Sequence, residues 1–277
     1  DMAQSLSGKT VAIDGKTLRR SHDQINGKSP IHMVSAWASD IQLVLGQIKT
    51  DDKSNEITAI PELIKTLALE GAIITIDAMG CQKNIAKTII DKGADYVLAL
   101  KDNQGTLHDN VEIFFKDYLK NNTNPLAIDS YQSTDGDHGR IEIRKYWITS
   151  DINWLQGKES WKNLNTIGMV QRQRHVGDDS SIETSYYISS IENDAKRLGH
   201  AVRSHWGIEN SLHWVLDVSF REDESRIRKD NAPQNFAVLR HMAHNLLKTE
   251  TTLKKSVKSK QLRAGWDNNY LTKVLNA

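Results

Sequence analysis

The sequence predicts an α/β protein with a mixed sheet flanked by helices. Short apolar runs rich in β-branched residues come first and then alternate with segments of helical spacing. The 277 residues include 36 Lys and Arg against 35 Asp and Glu, a balance that excludes strongly basic histone-like binders and acidic disordered tails. Apolar residues make up 38% of the chain, which is typical of a globular protein with a sizeable core.

Cysteine usage and hydropathy exclude further classes. Cys81 is the single cysteine, which excludes an intrachain disulfide framework and a multi-cysteine zinc site. No apolar run approaches the roughly 18 residues that a spanning helix needs, and we see no secretory signal. We therefore expect a protein of the reducing cytoplasm. Because the sequence starts at Asp1 and not at Met, we also expect that an upstream segment is missing.

The first part of the chain predicts three antiparallel strands. The apolar runs cover residues 11–14, 31–38 and 41–48. Ser39 and Asp40 separate the second run from the third, and this spacing predicts a tight hairpin.

Helices and strands then alternate. Pro61 followed by Glu62 is a helix-start signal, so we expect a helix to begin there. The next elements are a strand ending at Asp77, a helix that stops at Gly93, a strand over 95–100 and a helix over 104–120. Strands joined through helices are expected to be parallel. The order βββαβαβα is typical of a ribonuclease-H-like domain.

The rest of the chain changes character twice. Alternating polar and apolar residues between about 125 and 192 predict a β-rich insertion, and helical spacing returns after Asn193. We expect Asn231 to cap a further helix that has Pro233 in its first turn. We predict three parts: a catalytic core over 8–120 and 193–250, a β-rich insertion over 121–192 and a basic C-terminal extension over 251–277.

Two aspartates stand at matching positions in the predicted sheet. Asp14 and Asp77 both lie at or near the carboxyl end of a short apolar strand, where ligand chemistry gathers in open α/β sheets. If the strands are neighbours, the two carboxylates face one pocket, and a divalent cation would offset their repulsion. The alternative is that each Asp caps the turn that follows it.

A third carboxylate is expected from elsewhere in the chain. Helical spacing places Glu209 beside Trp206 and His213, with an apolar stripe that could dock on the sheet. The stripe comprises Ile208, Leu212 and Val215. The alternative is a solvated Glu209 with Trp206 and Trp214 in the core. The other candidates are Asp217, Glu222, Asp223 and Glu224.

Several long motifs in order identify a family. They include AIDGKTLRRS, TIDAMGCQKNIA, DYVLALKDNQGTL, HGRIEIRKYW and HWGIENSLHWVLDVSFREDESRIR. From about Val11 to the C-terminus the chain resembles the H-repeat-associated transposases of bacterial insertion sequences. These belong to the DDE class, which has a ribonuclease-H-like core. The resemblance implies metal-dependent DNA cleavage and strand transfer at phosphorus.

The resemblance also assigns the site and its partners. It implies that Asp14, Asp77 and Glu209 are catalytic and hold Mg²⁺ or Mn²⁺, in a site for two ions. It implies element ends and target DNA as partners, and a homodimer on DNA at the nucleoid. A related group carries Tyr, Arg and Lys around its Glu. Those positions fall here on Val202, His205 and Leu216, so the pattern is not matched.

Basic and polar side chains provide candidate DNA contacts. The C-terminal cluster is the strongest case, with seven Lys or Arg between 240 and 263 against one acid, Glu250. Gly15 and Gly80 would let backbone approach phosphate closely, or are ordinary turn glycines. The candidate DNA-binding residues are Lys16, Arg19, Arg20, Lys101, Arg140, Arg144, His205, Trp206, Asn210, Lys254, Lys255 and Lys258.

Two further features have plain interpretations. His241 and His244 form an i, i+3 pair without a nearby cysteine, so packing is favoured over metal binding. Cys81 is expected to be a small buried residue and not a nucleophile. Two other functions stay open beside the transposase. One is a nuclease of the same fold that only hydrolyses, and the other is a truncated, non-catalytic DNA-binding relic.

Overall fold

The computed structural model describes residues 6–23, 27–50, 55–121, 127–137, 140–177 and 179–277. The chain divides into two compact units. Unit 1 comprises Asp1–Thr10 and Ala68–Ser204, and unit 2 comprises Val11–Leu67 and His205–Ala277. The predicted three-part division of the chain stays a prediction.

Strands and helices are mixed throughout the chain. The strands are β1 (Thr10–Thr17), β2 (His32–Ala38), β3 (Leu43–Lys49), β4 (Ile73–Ile76), β5 (Asp95–Leu100), β6 (Ile128–Asp137), β7 (Arg140–Thr149), β8 (Thr166–Val176) and β9 (Asp179–Ser189). The helices are α1 (Glu56–Thr66), α2 (Lys83–Asp91), α3 (Gly105–Asn121), α4 (Ala195–Gly207), α5 (Trp214–Val218), α6 (Ala232–Thr249), α7 (Val257–Trp266) and α8 (Asn268–Leu275), and a π-helical segment, Ile208–His213, joins α4 to α5.

Unit 2 contains the three predicted antiparallel strands in the order β3-β2-β1. The predicted hairpin between β2 and β3 is confirmed, but its turn is longer than two residues and extends from Ser39 to Gln42. Gln42 has a φ of 55°, so it takes the left-handed conformation that closes this longer turn. The amide of Asn245 on α6 both donates to and accepts from the backbone of Val44. This contact satisfies the backbone N–H and C=O of one residue of edge strand β3.

Helix α1 begins five residues earlier than Pro61 predicts. Its first residue is Glu56, and the Asn55 side chain accepts a hydrogen bond from the N–H of Ile57. Asn is a strong N-cap because its oxygen satisfies an unpaired N–H of the first turn. Pro61 lies inside the helix and is buried. The N-cap at Asn55, and not the proline, therefore sets where the helix starts.

Unit 1 holds a mixed sheet with strand order β4-β5-β9-β8-β7-β6. Strands β4 and β5 are parallel, as predicted for strands joined by a helix, and the remaining pairs are antiparallel. The predicted strand over 95–100 is confirmed. The helix stop at Gly93 is also confirmed, because this residue has a φ of 72° and donates to the carbonyl of Ile90.

Helix α4 packs closely on the long strands of unit 1. Its buried residues include Leu198 and Ala201, which share a hydrophobic cluster with Tyr146 and Ile148 of β7. Gly168 of β8 lies under Leu198, so the glycine leaves room for the leucine side chain. The close approach holds α4 against β8 within unit 1.

The C-terminal helices of unit 2 form a small core of their own. Leu247, Val257, Tyr270 and Val274 are its buried members. The predicted cap position of α6 is confirmed, with Asn231 preceding Ala232, although the Asn231 side chain makes no capping hydrogen bond. Within the described part of the chain, no helix has the length and apolar character needed to cross a membrane.

Candidate active site

Strand β1 carries Asp14 at the end of a buried run. Val11, Ala12 and Ile13 are fully buried, whereas the Asp14 side chain keeps 19% of its surface exposed. The strand pairs Asp14 with Ser35 of β2, which holds its backbone in a regular antiparallel ladder. Asp14 is therefore a carboxylate on a rigid element with partial access to solvent.

The imidazole of His213 lies beside Asp14. Its Nδ1 is 3.5 Å from Oδ2 of the carboxylate, and only 12% of the His213 side chain is exposed. Burial, followed by the nearby positive charge of Lys16, lowers the pKa of His213 to about 4. The imidazole of His213 is therefore neutral at pH 7.

Glu209 lies in the π-helical segment and is exposed. The N–H of Trp214 donates to the Glu209 carbonyl, which is the i to i+5 bond that defines the wider turn. Such π-helical turns inside α-helices are frequent at functional sites. No apolar spacing in the sequence indicates this local widening.

The predicted helix stripe is correct at two of its three positions. Ile208 and Leu212 are fully buried, and the third member is Leu216, because Val215 packs instead toward the C-terminal cluster. Their partners in the hydrophobic cluster are Ala12, Trp37 and Val44. The helix that carries Glu209 therefore docks, within unit 2, on the sheet that carries Asp14.

The two tryptophans beside Glu209 are not core residues. Trp206 is 47% exposed and Trp214 is 60% exposed, so the alternative in which both are buried is wrong. The helix buries the stripe that starts at Ile208, and both tryptophans fall off that face.

Three of the other acidic candidates surround Lys16. Its Nζ lies 2.8 Å from Asp217 Oδ1, 2.9 Å from Asp223 Oδ1 and 3.6 Å from Glu222 Oε2. Burial opposes the charge on Lys16, but the close carboxylates of Asp217 and Asp223 outweigh it and raise the lysine pKa. Glu224 pairs instead with Arg221. All four alternatives to Glu209 thus have a cationic partner.

Gly15 lies inside β1, so it is not a turn glycine. A Cβ there would lie 2.1 Å from Glu56 Oε1 and 2.2 Å from His32 Nε2. These two side chains form a hydrogen bond of 2.6 Å, and Thr17 Oγ1 lies 2.8 Å from the other ring nitrogen of His32. Glycine is needed here because the His32–Glu56 pair crosses the strand at that point.

Asp77 follows β4 in unit 1 and is partly buried. Its Oδ1 accepts a hydrogen bond of 3.2 Å from the N–H of Gly80, so it caps the following turn. Cys81 is fully buried, as predicted. Burial, with a smaller contribution from Asp77, raises the pKa of the Cys81 thiol to about 12, which leaves it protonated and unreactive at pH 7.

The basic candidates differ in how firmly the protein holds them. Arg144 binds Asp135 and Glu142, and Arg140 lies 3.2 Å from Glu142. Arg19 pairs with Asp223 although its side chain is 80% exposed. The exposed candidates also include Arg20, Lys101, Asn210, Lys254, Lys255 and Lys258, whereas His205 is partly buried. Their contacts with DNA stay a prediction.

Part of the C-terminal basic cluster is structural. Lys260 is buried and donates to the carbonyls of Leu247 and Glu250. Arg240 lies 3.5 Å from Glu222, and only 12% of its side chain is exposed. Charge counting along the sequence does not reveal these internal roles, so the cluster offers fewer cations to a partner than its composition indicates.

The histidine pair on α6 packs in the interior, which is one of the two kinds of packing that the sequence leaves open. His241 and His244 are buried, and the His244 ring meets Trp37 edge-on at 5.5 Å. Among the residues that the structure describes, no three His, Cys, Asp or Glu side chains form a group arranged to hold a metal ion. The metal site of Asp14, Asp77 and Glu209 therefore stays a prediction.

Comparison with known proteins defines the class. Residues 6–246 match the family described as "Transposase DDE domain". The chain is 45% identical to "Putative transposase YncI" of Escherichia coli O157:H7, over 97% of this chain and 69% of that protein. It is 43% identical to "H repeat-associated putative transposase YhhI" of Escherichia coli K12, over 99% of this chain and 73% of that protein.

These matches cover nearly the whole chain and agree with the motifs read from the sequence. The chain belongs to the H-repeat-associated transposases, a group within the DDE transposase family.

Proposed function

We propose that this protein is a DDE transposase that cleaves DNA strands and joins the freed 3′ ends to target DNA. The observation that supports the proposal most directly is the docking of the Glu209 helix on the strand of Asp14 in unit 2. We assign Asp14, Asp77 and Glu209 as the catalytic carboxylates. The core would be ribonuclease-H-like, with residues 121–192 as the β-rich insertion of the catalytic domain and 251–277 as a basic extension.

The donor chemistry of this set fits magnesium or manganese. Both ions prefer carboxylate oxygens, and Asp14 and Glu209 supply such oxygens from two docked elements. Two bound ions would polarise a phosphodiester and stabilise its attacking and leaving oxygens. The Lys16 side chain pairs with three other carboxylates, those of Asp217, Glu222 and Asp223.

The surroundings of Glu209 suit a DNA substrate. Trp206 and Asn210 are exposed on the same helix, and each can meet DNA without unfolding the protein. We propose that they, with the exposed lysines of residues 254–258, hold the element ends and target DNA. Synapsis of two ends implies a homodimer on DNA, acting at the bacterial nucleoid in the cytoplasm.

Metal-dependent nicking tests the enzyme directly. A supercoiled plasmid carrying the sequences that flank the gene is incubated with protein and Mg²⁺, and nicked product is measured. Asp14→Asn and Glu209→Gln should each reduce the rate at least a hundredfold. Glu224→Gln, which changes an exposed carboxylate paired with Arg221, is the matched control and should retain activity. If Asp14→Asn nicks DNA at the parent rate, Asp14 is not a catalytic residue.

Strand transfer separates the transposase from its two alternatives. A duplex with a pre-cut 3′ end is mixed with target plasmid, and joined product is measured. The transposase forms joined product, whereas a hydrolytic nuclease only nicks and a relic does neither. Nicking without joining would show that the protein is a nuclease and not a transposase. If neither product forms, the protein is a non-catalytic DNA-binding protein.

A further inference from the structure

Alternate residues of β1 face the helix that carries Glu209. Side chains two apart on a strand point the same way, so Ala12, Asp14 and Lys16 share one face. Ala12 lies in the cluster completed by the apolar stripe of the helix. Asp14 lies 3.5 Å from His213, and Lys16 lies 2.8 Å from Asp217. Successive residues of this strand face therefore contact successive positions of the helix. The last of these contacts is the ion pair between Lys16 and Asp217.

Lys16 is enclosed by the protein. Its side chain is 11% exposed and contacts carboxylates from both the end of α5 and the turn after it. Arg19 pairs with Asp223, and Arg240 approaches Glu222, so three cations balance three carboxylates. In this arrangement Lys16 has no need of a phosphate to offset its charge.

We propose that Lys16 is a positioning residue, whose ion pair with Asp217 fixes the Glu209 helix against β1 and so sets the placement of Glu209 relative to Asp14. The inference rests on the proposed function of the two carboxylates. It replaces the sequence-based assignment of Lys16 as a DNA contact.

Rigid elements transmit this constraint. Lys16 follows Asp14 by one strand repeat, roughly 7 Å, and Asp217 follows Glu209 by eight residues of one continuous helical run. A helix held only by apolar contacts can still slide or rotate slightly on the sheet, because such contacts have no preferred direction. A short ion pair next to the stripe limits that movement, because the two charged groups lose their attraction when they move apart.

The metal requirement of cleavage tests the inference. Lys16→Met and Asp217→Asn should each raise the Mg²⁺ concentration for half-maximal nicking at least tenfold. The double variant should be no worse than the more damaged single variant, because both changes remove one interaction. Lys87→Met, which removes an exposed Lys87–Asp91 pair on α2, is the matched control and should leave the requirement unchanged.

Two readouts do not depend on activity. Hydrogen exchange should accelerate over residues 208–218 in Lys16→Met and in Asp217→Asn, and stay at the parent rate there in Lys87→Met. Metal-free DNA affinity measured against salt should keep its slope in Lys16→Met. A phosphate contact behaves in the opposite way. Lys16→Met would lower the slope by about one, and Asp217→Asn would tighten DNA binding by freeing the lysine.

The outcomes separate this inference from the function on which it rests. An inactive parent with accelerated exchange in the variants would overturn the proposed chemistry but support the anchoring. An active parent whose variants keep the parent Mg²⁺ requirement and the parent exchange rates would overturn the anchoring alone. If Lys16→Met fails to fold, the same measurements on Asp217→Asn decide the question. Lys16→Arg keeps the charge, so its Mg²⁺ concentration for half-maximal nicking should stay within about threefold of the parent value.

Discussion

Gly168 and Leu198 fit together so closely that a Cβ at Gly168 would lie 2.6 Å from Leu198 Cδ2. The contact joins β8 to α4, the helix that leads into the π-helical segment with Glu209. The two residues are 30 apart in the sequence, and neither alone signals the contact.

Complementary substitutions should test this fit. Gly168→Ala should destabilise the protein by about 1–3 kcal/mol through overpacking, and Leu198→Ala by about 2–5 kcal/mol through a cavity. The double variant should lose less unfolding free energy than the two single variants lose together, because the new methyl group enters the space that the leucine leaves. Urea unfolding measures all three. Gly136→Ala on β6, where a Cβ meets nothing within 4 Å, is the control.

Gly15→Ala should disturb the His32–Glu56 pair. The added methyl overlaps both side chains, so we expect a loss of about 1–3 kcal/mol in the free energy of unfolding. Gly265→Ala is the matched control, because its Cβ meets nothing within 4 Å inside α7 and alanine favours helix. A Gly15→Ala protein as stable as the parent would show that the pair does not need this space.

Acid should destabilise unit 2 through its buried histidines. Burial lowers the pKa of His241 to about 3 and that of His244 to about 4, with neighbouring positive charge adding to the effect. The unfolded chain binds protons near pH 6.5, whereas the folded chain does not. These groups therefore leave stability unchanged above about pH 7.5, and stability falls as the pH drops through 6.5 toward 4, by up to about 1.4 kcal/mol per pH unit for each group.

Substitution identifies the histidines responsible. Unfolding free energies of His244→Phe, measured between pH 4 and 8, should fall less steeply with acid than those of the parent. A parental slope in His244→Phe would assign the acid sensitivity to other groups.

The lysines near the C-terminus should divide into two kinds. Lys254 and Lys255 are exposed, so Lys254→Ala with Lys255→Ala should lower the salt slope of DNA binding by about two and leave thermal stability unchanged. Lys260→Ala should instead lower the melting temperature, because its ammonium group bonds two backbone carbonyls in the interior. DNA affinity at several salt concentrations and thermal unfolding together test the division.

Local signals in the sequence predicted much of the fold. The strand at 95–100, the helix stop at Gly93 and the parallel pairing of β4 with β5 follow from apolar runs and from the left-handed preference of glycine. The predicted start of α1 at Pro61 is wrong, because the helix begins after its N-cap Asn55 and Pro61 lies inside it.

The site was predicted less completely, because its contacts join distant segments. The helix stripe from Ile208 was visible in the sequence, but the π-helical turn moved its third member to Leu216. The sequence alone indicates that Lys16 is a cation available to DNA. Its partner Asp217 lies 201 residues away along the sequence, so only the fold shows the ion pair. Gly15 reads as a turn residue until the pair that crosses it is seen.

Crystals of the protein with DNA and Mn²⁺, examined by anomalous scattering, test the central assignment most directly. We predict manganese peaks within coordination distance of carboxylate oxygens from Asp14, Asp77 and Glu209 together. Peaks bound by Asp14 and Asp77 with the third carboxylate supplied by Asp217 or Glu222, or no peak at Asp14, would contradict the assignment.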